Sequence, residues 1–180
     1  MFVLGDRKLQ NVLVSSDHGM MIVNRFDRGP DEVSVGSHIL DHGNNNTVEA
    51  DTAIKVLANV DNPIIFDVGA NIGTFATWVA MWTKTKNGRV YCFEPQRQVF
   101  QMLCGNMALN NITNVYAYEI ALGRQNKMIE MPEVDYTERA SFATFTLDNV
   151  ETQYKTIPNT SQLIQLMTLD KFRSEEHTSE

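Results

Sequence analysis

One short run constrains this chain more than any other. Ile64-Ile65-Phe66-Asp67-Val68 is apolar but for one acid, and Gly69-Ala70-Asn71-Ile72-Gly73 follows without a break. A continuous apolar run of that length, bounded by glycine, predicts a strand buried on both faces, as in a parallel sheet. Thr74 to Thr83 then has helical character, with Phe75, Ala76, Val79, Ala80 and Trp82 available for packing. Asn87-Gly88 closes that unit, and Arg89-Val90-Tyr91-Cys92-Phe93 predicts a second strand ending at Glu94-Pro95. From Gln96 to Asn111 the apolar Val99, Phe100, Leu103, Cys104 and Met107 recur at helical offsets. Asn114 to Leu122 predicts a third strand. Residues 64–122 are therefore expected to fold as β-α-β-α-β, with connections long enough for parallel crossovers.

The flanks are less regular. Residues 9–14 and 20–26 are short runs, partly β-branched, on either side of Ser15-Ser16-Asp17-His18-Gly19, which predicts a hairpin or strand pair. Residues 27–46 are rich in Gly, Asp, Asn and His and read mostly as loop. Thr47 can cap a helix through Val48, Ala53, Ile54 and Leu57, which Asp61-Asn62-Pro63 ends. After Gly123, Lys127–Met131 and Ser141–Leu147 alternate in polarity about the acidic turn Glu133-Val134-Asp135-Tyr136, and predict an antiparallel insertion. Residues 151–162 read as polar loop, and Leu163 to Leu169 as a further strand-like piece. The expected organisation is a β-rich extension over 1–46 and a partial α/β domain over 47–172. Residues 173–180, Arg-Ser-Glu-Glu-His-Thr-Ser-Glu, break sharply from what precedes them and resemble the in-frame translation of a sequencing-library adapter. They are expected to be an artefactual tail that replaces the natural continuation past Phe172.

Composition excludes several function classes. With 43% apolar residues, disorder is not the main state. A formal charge of −7, with no stripe of Lys and Arg, argues against nucleic acid and against an anionic membrane as partners. No run approaches 18 apolar residues, and Met1 to Gln10 has no apolar signal-peptide core. Cys92 and Cys104 form no metal or redox motif and read as core residues, which fits a reducing, cytoplasmic setting. No metal is expected.

The chemistry concentrates at the turn after the first strand. Gly69 and Gly73 permit a tight strand-to-helix turn and close backbone approach to a ligand. A helix starting there would offer free N–H groups and a positive dipole end to a carboxylate or phosphate. Asp67 sits at the carboxyl end of its strand, where open α/β sheets bind ligands, and suits an ammonium group. Glu94 ends the second strand and can accept bonds from both hydroxyls of a ribose. The turn lacks a middle glycine, because Asn71 occupies that place, and this weakens a pyrophosphate reading. S-adenosyl-L-methionine, which carries a carboxylate, an ammonium and a ribose but no phosphate, fits better.

These strings resemble the FkbM-type family of S-adenosylmethionine-dependent methyltransferases. The resemblance rests on Ile64 through Gly73, on Val90-Tyr91-Cys92-Phe93-Glu94-Pro95, and on Ile120-Ala121-Leu122-Gly123. Glu49, Asn110-Asn111, Met131 through Tyr136, and Thr168-Leu169-Asp170 are also similar to the family. The resemblance implies a Rossmann-like class I methyltransferase fold, represented here by its N-terminal half, and methyl transfer to a hydroxyl of a sugar or small metabolite. It implies that Asp67 and Gly69 face the methionine end, that Ala70, Asn71 and Gly73 belong to the cofactor turn, and that Glu94 holds the ribose. Pro95, Glu119 and Ala121 would lie near the adenine. The family's Asp-x-Glu-Gly segment and its later strands are missing, so weak or absent activity is expected of these residues alone.

No catalytic residue is assigned. A hydroxyl acceptor calls for a general base, and His38 and His42 are candidates that read more simply as solvated loop histidines. Trp78 and Trp82, four residues apart, are expected to pack in the core. Two other functions compete: a nicotinamide-dependent oxidoreductase half-domain, against which Asn71 speaks, and a non-catalytic nucleoside-binding fragment whose uncovered sheet edge favours association.

Overall fold

The glycine-flanked run is a strand, β4 (Ile64–Val68), in the computed structural model of the chain. Residues 3–4, 9–29, 31, 34–45, 47–144 and 154–177 are described. β4 pairs in parallel with β5 (Arg89–Phe93), which pairs in parallel with β6 (Val115–Tyr118), giving the order β4-β5-β6. The crossovers are α3 (Thr74–Lys84) and α4 (Arg97–Leu109). This is the expected β-α-β-α-β unit of a Rossmann-like α/β fold.

Alternation along the strands gives the sheet two different faces. Ile65, Val90 and Cys92 meet Ala76, Val79 and Ala80 of α3, Leu103 and Met107 of α4, and Ala50 of α2 (Thr47–Val56). The opposite face is aromatic. Phe66, Tyr91, Phe93 and Tyr118 lie with near-parallel rings, and Phe172 caps them edge-on, 4.8 Å from Phe93 and 4.9 Å from Tyr118. Burial corrects one expectation. β4 is an edge strand among the described residues, with Ile64 54% and Val68 57% exposed, and the strand buried on both faces is β5. Apolar content alone does not distinguish an edge strand from a central one.

The expected N-terminal hairpin is present as β2 (Asn11–Ser16) and β3 (Gly19–Asn24), with β1 (Val3–Leu4) beside β2. Its buried Val12, Val14, Met21 and Val23 share one core with Ile39, Val99, Met102, Tyr136 and Phe142. Asn106 on α4 and Asn110 at its C-cap, one turn apart, complete the outer edge of β3. The Asn106 amide accepts from the Ile22 N–H at 2.5 Å and donates to the Ile22 carbonyl at 3.3 Å. Asn110 does the same for Met20, at 2.8 and 2.7 Å. The side-chain amides replace a neighbouring strand and satisfy an edge that would otherwise be left unpaired. Asn106 also donates to the Ile72 carbonyl at 2.8 Å, which ties the hairpin to the glycine turn. Asn106→Ala leaves three backbone groups short of partners. It is expected to lower unfolding free energy by about 2–4 kcal/mol, read from a urea titration.

Several sequence expectations are corrected. Within 27–46, residues Val35–His42 form a helix, α1, capped by Ser34 and Ser37 and ended by Gly43 at φ 76. The capping pair is Ser/Ser, not the Ser/Glu pattern that marks such boxes in sequence. The third strand breaks at Glu119: β7 (Ile120–Leu122) leaves the parallel sheet for a second one ordered β7-β9-β8. β8 (Lys127–Val134) pairs antiparallel with β9 (Thr156–Met167), not with 141–147. Phe142–Thr144 is a 3-10 turn, and 145–147 lie outside the described residues. Residues 156–162, read as loop, belong to β9. The strand-like piece at 163–169 stops at Met167, and α5 (Leu169–His177) continues across Phe172 and Arg173. Cys104 is exposed, because α4 buries Met102, Leu103, Asn106 and Met107 instead, while Cys92 is buried as expected. Trp78 packs against the core as expected, though only half-buried, donating to Asp51 at 3.0 Å and meeting His18 edge-on.

Candidate cofactor site

β4 and β5 run level, with Asp67 opposite Cys92 and Val68 opposite Phe93. The chain then turns back on itself at once. The Gly69 and Ala70 N–H groups both donate to the Phe93 carbonyl, at 2.9 and 3.1 Å. The Asn71 N–H donates to Glu94 Oε2 at 3.0 Å, the Ile72 N–H to Asn71 Oδ1 at 2.7 Å, and the Gly73 N–H to the Ala70 carbonyl at 2.9 Å. Every backbone donor from Gly69 to Gly73 is therefore used inside the protein. The free N–H cradle anticipated for a ligand anion is not formed by these five residues. A dinucleotide pyrophosphate relies on such donors, so the turn favours a ligand without one.

Left-handed backbone at Gly69 (φ 76), Asn71 (φ 51) and Gly73 (φ 87) makes this geometry possible. Asparagine is among the few side chains that tolerate it. The two glycines serve different ends. A Cβ at Gly69 would meet nothing within 4 Å, so that position borders open space. A Cβ at Gly73 would lie 2.6 Å from Leu103 Cδ1 and 2.8 Å from Met107 Cε, so Gly73 lets α3 start against α4.

Two carboxyls face this turn. Burial lifts Asp67 to about 6, and its Oδ2 is buried without a hydrogen-bond partner. Burial likewise lifts Glu94 to about 7, opposed by the N–H groups of Gln96 and Asn71. The neighbouring Cys92 thiol is pushed up by burial and by Asp67. An orphaned buried carboxylate oxygen is costly unless a ligand completes it. Asp67, Gly69, Ala70, Asn71, Gly73 and Glu94 thus come together in one place. Pro95 follows directly, its carbonyl accepting from Gln162 of β9 at 3.3 Å. Glu119 lies between β6 and β7 and pairs with Arg97 at 3.2 Å, and Ala121 pairs with Leu166 in the second sheet. His38 and His42 lie on α1, not on a loop, with rings 5.7 Å apart and His38 Nδ1 3.0 Å from the Ser34 carbonyl.

Residues 67–180, more than half of the chain, match the family model of the methyltransferase FkbM domain. The chain belongs to the FkbM methyltransferase family. Methyltransferase 1 of Beauveria bassiana is 27% identical to it over 107 residues, which are 59% of this chain and 41% of that protein. The chain therefore spans about two fifths of the length of that curated relative. Among solved structures, a SAM-dependent methyltransferase from Agrobacterium tumefaciens aligns with a TM-score of 0.45 and 9% identity, over 64% of this chain and 34% of that one. Aeropyrum pernix fibrillarin, solved with bound S-adenosyl-L-methionine, aligns with a TM-score of 0.30 and 16% identity, over 67% and 58%. FkbM methyltransferases depend on S-adenosyl-L-methionine as their methyl donor. No helix among the described residues is long and apolar enough to cross a membrane.

Two residues packed around Glu94 escaped sequence reading. Gln96 is buried beside it, and Tyr136 donates to Gln96 Oε1 at 3.2 Å. Residues forty positions apart carry no local sign of this pairing.

Proposed function

We propose that this chain is the donor-binding part of an S-adenosyl-L-methionine-dependent methyltransferase that methylates a hydroxyl of a sugar or small metabolite. The observation that carries this is a pair of carboxyls, the half-buried Asp67 with its orphaned Oδ2 and the buried Glu94, flanking a turn whose own N–H groups are all occupied. Such a site calls for a cation and hydroxyl donors, not a phosphate. Asp67 would take the ligand ammonium at its orphaned oxygen, and Gly69 would leave room for the methionine backbone. Glu94 retains acceptor capacity on both oxygens for the ribose hydroxyls, with Pro95, Glu119 and Ala121 toward the adenine. Bound there, the donor would supply an electrophilic methyl group on a sulfonium. Membership in the FkbM family supports the same reading, as does a chain short of Lys and Arg for an acceptor that is not nucleic acid. These residues alone are expected to transfer methyl weakly.

Calorimetry with S-adenosylhomocysteine and with NAD tests this. The nucleoside amino acid is expected to bind and NAD not to bind at the same concentration; the reverse preference would sink the proposal. Because the ligand's ammonium and hydroxyls prefer ionised partners, affinity is expected to fall as pH drops through about 7 and then about 6. Once a carboxyl is protonated, the loss approaches about tenfold per pH unit for each group.

A further inference from the structure

Gln96 occupies the N-cap position of α4, where short side chains such as Ser, Thr, Asp or Asn serve best because they can accept the first helical N–H groups. Its side chain makes no capping bond. It is instead 2% exposed and reaches into the segment after β8. There Nε2 donates to the Phe142 carbonyl at 2.9 Å, and Oε1 accepts from the Tyr136 hydroxyl at 3.2 Å. The Gln96 backbone N–H meanwhile donates to Glu94 Oε1 at 2.9 Å. Tyr136 and Phe142 are 5% and 1% exposed, with rings edge-to-face at 4.9 Å. Both are anchored from the N-terminal side: Asn24 Nδ2 donates to the Tyr136 carbonyl at 3.0 Å, and Asp27 Oδ1 accepts from the Phe142 N–H at 2.9 Å. A buried polar chain therefore runs from Asp27 and Asn24, through the segment holding Tyr136 and Phe142, to Gln96 and on to Glu94.

We infer that Tyr136 and Gln96 are positioning residues for Glu94, through which the segment after β8 sets the carboxylate face offered to a ribose. This rests on Glu94 being the ribose-binding group. A carboxylate has about four lone-pair sites. The Asn71 and Gln96 N–H groups take one on each oxygen, the Gln96 side chain also hydrogen-bonds the carboxyl, and the sites left over are those a ligand's hydroxyls can use. The outcome depends on where the Gln96 peptide stands, and the buried side-chain amide holds that peptide in place. Without the Tyr136 hydroxyl, Gln96 Oε1 has lost a buried donor, and the amide and its peptide shift to recover one.

The test is calorimetry with S-adenosylhomocysteine and its 2′-deoxy analogue on the full 180-residue chain. Wild type is expected to prefer the ribose ligand. Tyr136→Phe keeps the ring against Phe142, and is expected to shrink that preference about 2- to 10-fold while leaving affinity for the deoxy ligand within about twofold. In a Gln96→Met background, Tyr136→Phe is expected to change the preference no further, since the two act through one amide. Equal weakening of both ligands, an unchanged preference, or an undiminished effect in the Gln96→Met background would overturn the positioning role. Absence of any ribose preference in wild type would overturn the ribose role of Glu94, and this assignment with it.

Discussion

Glu94→Ala is expected to weaken S-adenosylhomocysteine binding about 100-fold, the value of two hydroxyl bonds to a charged acceptor at roughly 1.5 kcal/mol each. Its effect on stability should depend on pH, and the sign follows from burial. The folded carboxyl titrates near 7 and the unfolded one near 4.5. The folded chain thus keeps a proton that the unfolded chain has already released. Stability from this group is fully present below about 4.5 and is lost as pH rises through about 7. The span corresponds to about 3 kcal/mol. Wild type should therefore lose stability between pH 5 and pH 8 by an amount of that order more than Glu94→Ala does. At pH 5 the variant should be the less stable of the two, because the Asn71 and Gln96 N–H groups lose their acceptor. Urea titrations of both proteins at the two pH values, with calorimetry at pH 8, separate the two effects. A variant that binds as tightly as wild type would show that Glu94 does not hold the ligand.

The two glycines of the turn are expected to fail in opposite ways. Gly73→Ala places a Cβ within 2.6–2.8 Å of Leu103 and Met107 on a left-handed backbone, φ 87. The clash and the backbone term together are expected to cost about 2–5 kcal/mol of stability. That is a large part of what a domain of this size has in hand. Gly69→Ala meets no neighbour and carries only the backbone term, about 1–2 kcal/mol. Its methyl group enters the space assigned to the ligand, so it should bind S-adenosylhomocysteine at least about tenfold more weakly while remaining folded. Melting curves and calorimetry on the pair decide the matter. If Gly69→Ala binds normally, the ligand does not approach the turn from that side.

What the sequence determined by itself is local. The parallel β-α-β-α-β unit could be read because strand and helix periodicities lie within short windows, and glycines mark its turns. Asp67 and Glu94 could be placed because a residue at the end of a strand is located once the strand is. Family membership was legible for the same reason, since Asp67 through Gly73 and Val90 through Pro95 are contiguous strings. Tertiary structure decided what depends on partners far along the chain. Whether β4 or β5 is central is a matter of pairing and not of composition. β8 finds its partner beyond Phe142–Thr144, in a segment whose second half is strand-like in sequence and whose polar first half, 156–162, becomes strand only by pairing. Three donors of the glycine turn are used because the Phe93 carbonyl and the Glu94 carboxylate come to meet them across the sheet, and the other two close within the turn on Asn71 Oδ1 and the Ala70 carbonyl. Gln96 and Tyr136 gain a role only when β8 carries one to the other. An amide or a phenol has no preferred partner until burial removes water as the alternative, and burial is a property of the assembled fold.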